Sequence, residues 1–193
     1  MASDLFITFL LIFNNGFFVA AEFALVKVRA SQLDVKLQNG SSRAKLAKSL
    51  LEKLDAYLSA TQLGNTLASL ALGAVFEEVI SHFVIGVYAK TGIVTNPLTV
   101  HSISLPIALT LLTFFHVTLG EQIPKMIGIK FIMDTLLLCA WPLRIFYFIC
   151  SPFIWLLNKT SNVVLRIIGV KKVGEDDVHT EDALRLKSNA RRV

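Results

Sequence analysis

Six consecutive residues, Gly120-Glu121-Gln122-Ile123-Pro124-Lys125, interrupt a long apolar run. Residues 103–119 before them and Met126 to Trp141 after them are mostly apolar. In lipid an ionisable side chain is costly and usually faces a bundle interior or a water-filled path. Pro124 has no N–H and crowds the carbonyl four residues back, at Gly120. A freed carbonyl beside the Glu121 carboxylate makes a hard-oxygen site of the kind that Mg²⁺ or Na⁺ accepts. The competing reading is a helix end at the membrane surface, with Glu121 and Lys125 solvated.

A second set of oxygens lies in the apolar stretch that starts at Tyr57. Asn65 and Ser69 are four apart and share one helix face, and Gln62 extends the same stripe. Neutral oxygens on one face suit a partly dehydrated cation. They equally suit interhelical hydrogen bonds, which are common for such residues in membranes. Glu22, near the end of the first apolar stretch, reads either as a lining group of an ion path or as a surface carboxylate paired with Lys27 or Arg29. Glu77, Glu78 and His82 read as a solvated outer face. No nucleophile–base pair emerges: Ser69 has no histidine at useful spacing, and His82, His101 and His116 are scattered. An enzyme is therefore not expected. His116, four residues before Gly120, would lie near the candidate site, although a packed histidine is the simpler reading. Cys139 and Cys150 have no Cys-x-x-Cys spacing and read as buried free thiols.

These residues must be held by membrane helices. The chain has 193 residues, of which 54% are hydrophobic and 17% charged, too apolar for an ordinary soluble domain. The expected class is an all-α integral membrane protein in the lipid bilayer. Three transmembrane helices are expected at about residues 5–26, 57–85 and 103–123, each near the length needed to cross about 30 Å of hydrocarbon. The first lacks a basic leader and a cleavage signal and reads as a retained span. Small residues Gly16, Ala20, Ala21 and Ala24 in it, and Gly64, Ala68, Ala71 and Gly73 in the second, favour close helix packing. Residues 27–55 carry seven basic side chains and a helical apolar stripe, with a turn at Asn39-Gly40. They read as a basic juxtamembrane belt. Ala89 to Ser102 reads as an outer loop with the single basic residue Lys90. The charge asymmetry puts the N-terminus outside and the 27–55 segment and the C-terminus in the cytoplasm of a cell membrane. Met126 to Leu157 is broken by Lys130, Asp134, Pro142, Arg144 and Pro152, so two or three short, partially inserted helices are expected there. Asn158 to Gly169 continues amphipathically with Gly169 as a cap, completing a belt over 126–169. Residues 170–193 read as a polar tail or a truncated linker. The net charge of +5 fits cytoplasmic loops and anionic lipid. No aromatic–basic interleaving suggests nucleic acid.

Four pieces carry a resemblance to a known family. They are residues 15–25 (Asn-Gly-Phe-Phe-Val-Ala-Ala-Glu-Phe-Ala-Leu), 58–70, from Leu58 to Leu70, 119–125 (Leu-Gly-Glu-Gln-Ile-Pro-Lys) and 152–158, from Pro152 to Asn158. In order and spacing the chain resembles the transmembrane domain of the CorC/CNNM family over residues 5–169. The resemblance implies three spans, a pair of short part-inserted helices and a juxtamembrane belt. It implies a homodimer that exports Mg²⁺, with Na⁺ as the candidate coupled ion. It also implies paired CBS domains in the full-length protein, which bind ATP; none lies in these residues. The family's metal site maps onto Asn65, Ser69, the Gly120 backbone and Glu121; the residues themselves add Pro124 as the helix break and Glu22 and Gln62 along the path or vestibule. One departure stands out. Family members often carry Ser-Ala-Ser-Glu in the first span, where this chain reads Val19-Ala20-Ala21-Glu22. A side-chain ligand from that span is therefore expected to be missing.

The mechanism expected from both readings is a Mg²⁺ ion held between spans two and three, entering from the cytoplasm and released by a rocking of the spans. The alternative is a Mg²⁺-sensing regulatory or scaffold membrane protein with no transport of its own. A wide haemolysin-like pore does not suit three short, broken spans.

Overall fold

The computed structural model describes residues 2–38, 40–91 and 97–169. All its elements are helical: α1 (Ala2–Lys27), α2 (Ala30–Gln38), α3 (Ser42–Leu51), α4 (Leu54–Thr91), α5 (Pro97–Phe115), a π-helical turn (His116–Gln122), α6 (Ile123–Lys130) and α7 (Ile132–Ile168). The chain divides into two compact units, Met1–Ile154 and Trp155–Val193.

In the first unit α1 is the central element, packed on α4, α6 and the π turn. Its small residues explain this. Ala20, Ala21 and Ala24 are buried and let neighbouring backbones approach, while Phe6, Phe9 and Phe13 point outward. The closest approach is to α6, where a Cβ added at Gly128 would sit 2.6 Å from the Ala20 carbonyl oxygen. On α4 the residues Tyr57, Ala60, Leu63, Ala68, Leu72 and Phe76 turn inward at helical spacing. The core is completed by α7, which buries Leu136, Cys139, Ala140, Leu143 and Ile154. The Phe18 and Phe146 rings lie 4.7 Å apart and those of Tyr57 and Tyr147 4.6 Å, distances that favour tilted aromatic pairs.

The basic segment forms a helical hairpin on this core. Gly40 has φ +74°, and the bonds Gly40 N–H to Leu37 O and Ser41 N–H to Lys36 O end α2 in a Schellman motif. The Ser41 hydroxyl then caps α3 by accepting from the Ala44 N–H. The second unit is described to Gly169. Its residues form the C-terminal part of α7, where Gly169, at φ +82°, ends the helix and bonds back to Arg166 O.

Two helices among the described residues are long and apolar enough to cross a membrane, Ser3–Lys27 of α1 and Ile132–Ile168 of α7. The face of α7 opposite the core is also apolar, with Leu138, Trp141, Ile145, Phe148 and Ile149 exposed. A helix hydrophobic all round belongs in a bundle core or in lipid.

Two expectations are corrected. Met126 to Leu157 does not fold as two or three short helices. After the end of α6 at Lys130 it is one helix, with Pro142 and Pro152 inside it. Each proline costs a hydrogen bond, but the continuous apolar surface on both faces outweighs the loss. The outer loop expected over 89–102 is helical up to Thr91 and again from Pro97. The break expected at Pro124 takes the form of a change of helical register rather than an end: the π turn closes at Gln122 and α6 follows from Ile123, with Pro124 in its first turn. Some expectations fall outside the described residues: the tail 170–193, Asn39, Gly92 and Asn96, and the side chains of Glu77, Lys90 and His101.

Candidate cation site

The π turn is where the site is built. Ile123 donates its N–H to Thr118 O, five residues back. In an α-helical register Gly120 O would await the N–H of Pro124, and in a π register Leu119 O would await it. Pro124 has none. In either register one carbonyl of the turn loses its helical donor, and π-bulges are frequent at functional sites.

The Gly120 carbonyl finds its donor on another helix. Asn15 Nδ2, from the fully buried side chain on α1, donates to Gly120 O at 3.0 Å. The same nitrogen lies 3.0 Å from His116 Nε2. An amide nitrogen only donates, so Nε2 is the accepting nitrogen and its lone pair faces the cluster. Ser69 on α4 donates its hydroxyl to Asn15 Oδ1 at 3.2 Å and lies 3.2 Å from His116 Nε2. Glu121 Oε1 stands 3.8 Å from the same His116 nitrogen. Packing holds this geometry. A Cβ at Gly120 would meet Asn15 Nδ2 and His116 Cδ2 at 3.0 Å, and one at Gly16 would meet Pro124 Cγ at 2.7 Å. Glycines at both places let α1 lie this close to the turn.

One oxygen near this cluster has no partner. Asn65 Oδ1, one turn before Ser69, is shut off from solvent and accepts no hydrogen bond. Such an orphan is expensive and calls for an occupant.

The structure therefore brings Ser69, Gly120 and Glu121 together, with Asn65 one turn away on α4. Gln62 is exposed; its carbonyl accepts from Thr66 Oγ1. Glu22 is half-buried and forms no ion pair with Lys27 or Arg29. Lys125 lies over the Phe23 ring, 4.8 Å from its centroid. One member was missed by sequence reasoning: Asn15 was legible only as a polar interruption of an apolar stretch, although a polar side chain in mid-helix is rarely idle in a membrane. His116 lies near the site as its spacing from Gly120 suggested, and it stands 3.2 Å from Ser69 Oγ, a pairing the sequence spacing did not offer. The first helix thus does offer a side-chain oxygen. It comes from Asn15 rather than from the Val19-Ala20-Ala21 positions, whose backbone abuts α6 at Gly128.

Chemically this is a site of neutral oxygens with one carboxylate and one imidazole. Among the described residues no group of three or more His, Cys, Asp or Glu side chains could hold a metal. A cation here would be balanced by Glu121 and solvated by amide, hydroxyl and carbonyl oxygens.

The apolar helices and this buried polar cluster define a membrane domain. The family model described as "Cyclin M transmembrane N-terminal domain" matches residues 6–192, and the chain belongs to that family, CNNM. It is 40% identical over 177 residues to the "UPF0053 protein YhdT" of Bacillus subtilis, covering 91% of this chain and 38% of that protein. It is 39% identical over 187 residues to the "UPF0053 protein YrkA" of the same organism, covering 95% and 42%. It is 33% identical over 181 residues to an uncharacterized protein of Mycobacterium tuberculosis, covering 94% and 51%. The chain spans about two fifths of the length of the Bacillus relatives it matches.

Proposed function

We propose that this domain transports a divalent cation, Mg²⁺, across the cell membrane, with Na⁺ as the exchanged ion. One observation carries the reading: α1, α4 and the π turn converge hard oxygens at one buried point, next to an Asn65 oxygen with no partner. Mg²⁺ prefers oxygen ligands and dehydrates reluctantly. A site with the single carboxylate Glu121 and several neutral oxygens would hold such an ion loosely enough to release it. Asn65, Ser69, Gly120 and Glu121 act as ligands in this reading, joined by Asn15, while Glu22 lines the approach.

The same proposal sets the wider frame. α1, α4 and α5 are the three spans, with the N-terminus outside and the belt and C-terminus in the cytoplasm. Two copies assemble as a homodimer. CBS domains beyond this chain would confer ATP binding. In this reading the protein is a carrier and not an enzyme.

The test is Mg²⁺ flux into liposomes containing the purified chain, with calorimetric Mg²⁺ binding in parallel. Asn65→Ala and Glu121→Gln are each expected to lower affinity by about tenfold, the scale of one lost charge-assisted contact. Undiminished binding and flux in Glu121→Gln would overturn the site. Binding without flux in the parent would favour the sensing or scaffold reading.

A further inference from the structure

Away from the cation cluster, a groove of about 490 Å³ opens between α2 and the α6–α7 junction. Its polar wall is Gln32 and Lys36 on α2, Lys130 at the end of α6 and Asp134 at the start of α7; its apolar wall includes Val35 and Phe131. A second groove, about 260 Å³, continues along α6 and shares Lys130 and Phe131 with the first. There the lining is apolar, with Ile123, Met126 and Ile127, until Gln122 at its far end. Ile123 and Ile127, four apart, form one stripe of α6, and Phe131 follows just past the helix end.

The junction explains the shape. α6 stops at Phe131, whose backbone leaves the helical region (φ −114°, ψ 49°), and α7 starts afresh at Ile132. The Lys130 ammonium lies over the Phe131 ring, 5.6 Å from its centroid, at the boundary of the two grooves. Two lysines against one carboxylate leave this end net positive. Asp34, the one acid of α2, is engaged by Lys48 at 3.4 Å.

We propose that the two-part groove binds one anionic glycerophospholipid, with its phosphate between Lys36 and Lys130 and an acyl chain along Ile123, Ile127 and Phe131. Charge complementarity and the polar-to-apolar continuity of the groove both favour this occupant. A soluble anion would leave Val35, Phe131 and Met126 bare, each more than half exposed. A second protein chain on the apolar stripe would leave two lysines without counter-charge. In a membrane domain the ligand is already at hand, and basic pockets beside membrane helices select anionic headgroups. α6 runs on from the π turn, so the bound chain would brace the helix that carries Gly120 and Glu121. The assignment does not depend on the cation reading.

Native mass spectrometry of the purified 193-residue chain tests it, with phosphatidylglycerol and phosphatidylcholine of identical acyl chains as competing probes. The parent is expected to retain phosphatidylglycerol at least about fivefold over phosphatidylcholine, the scale of the one net positive charge that two lysines and Asp134 leave. Lys36→Gln/Lys130→Gln should bring the ratio close to one, and Lys36→Arg/Lys130→Arg should keep it. Lys45→Gln/Lys53→Gln, an equal loss of charge elsewhere in the basic segment, should also keep it. Equal loss in both glutamine doubles would overturn the proposal in favour of diffuse attraction. Displacement of the lipid by millimolar glycerol 3-phosphate would overturn it in favour of a soluble-anion site. A parent dimer that dissociates in Lys36→Gln/Lys130→Gln, with lipid retention unchanged, would make the groove an interface between copies.

Discussion

Asn15 is the side chain on which the cluster depends, and removing it gives the sharpest test. Asn15→Ala deletes the donor to Gly120 O (3.0 Å), the donor to His116 Nε2 (3.0 Å) and the acceptor for Ser69 Oγ (3.2 Å). Interhelical hydrogen bonds in membranes average about 0.6 kcal/mol and reach about 1.7. Three of them give about 2 kcal/mol. The Gly120 bond belongs at the upper end, because Pro124 leaves that carbonyl with no donor in its own α-helical register. The expected loss is therefore about 2–3 kcal/mol, a factor of roughly 30–150 in the folding equilibrium. The assay is reversible unfolding in mixed detergent and dodecyl sulfate, run as a double-mutant cycle with Ser69→Ala. The pair should couple by about 0.6–1.7 kcal/mol. Asn14→Ala, at the exposed neighbouring position, is the control and should stay within about 0.5 kcal/mol. An Asn15→Ala variant no less stable than Asn14→Ala, or a coupling of zero, would refute the idea that Asn15 ties α1 to α4 and the π turn.

Three further perturbations follow from the same geometry. Pro124→Ala restores the missing N–H, so Gly120 O gains an intrahelical donor; stability in the same assay should hold or rise, while Mg²⁺ affinity by calorimetry falls about tenfold as the carbonyl turns away. Gly128→Ala places a Cβ 2.6 Å from a backbone oxygen, and α1 and α6 must part by about 0.8 Å to reach an ordinary 3.4 Å contact; a loss of about 1–3 kcal/mol is expected, and an unchanged unfolding midpoint would contradict the packing. Gly40→Ala forces an L side chain to φ +74° and should cost about 1–2 kcal/mol with Mg²⁺ affinity unchanged, since the α2–α3 turn lies outside the cluster.

Much of this arrangement was legible in the residues. The apolar stretches announced helices, Gly40 and Gly169 announced where α2 and α7 end, and the Gly120–Pro124 segment announced a carbonyl without a donor. These are local statements, set by side-chain hydropathy, by φ > 0 at glycine and by the missing N–H of proline. Reading prolines as interruptions failed in α7. The cost of Pro142 and Pro152 is local and fixed, whereas the gain from a helix apolar on both faces grows with its length. At Pro124 the interruption is a one-residue change of register rather than a helix end.

The sequence by itself determined that this is a helical membrane domain of the CNNM family, and it singled out Glu121, Gly120, Ser69 and Asn65 as the oxygens of the proposed site. Only the tertiary structure decided what joins them. Asn15 and Gly120 are 105 residues apart, and no periodicity connects them. They meet because Gly16 lets Pro124, and Gly128 lets Ala20, come within van der Waals reach. That complementarity is a property of two packed surfaces, and neither surface can be read from one strand of sequence alone.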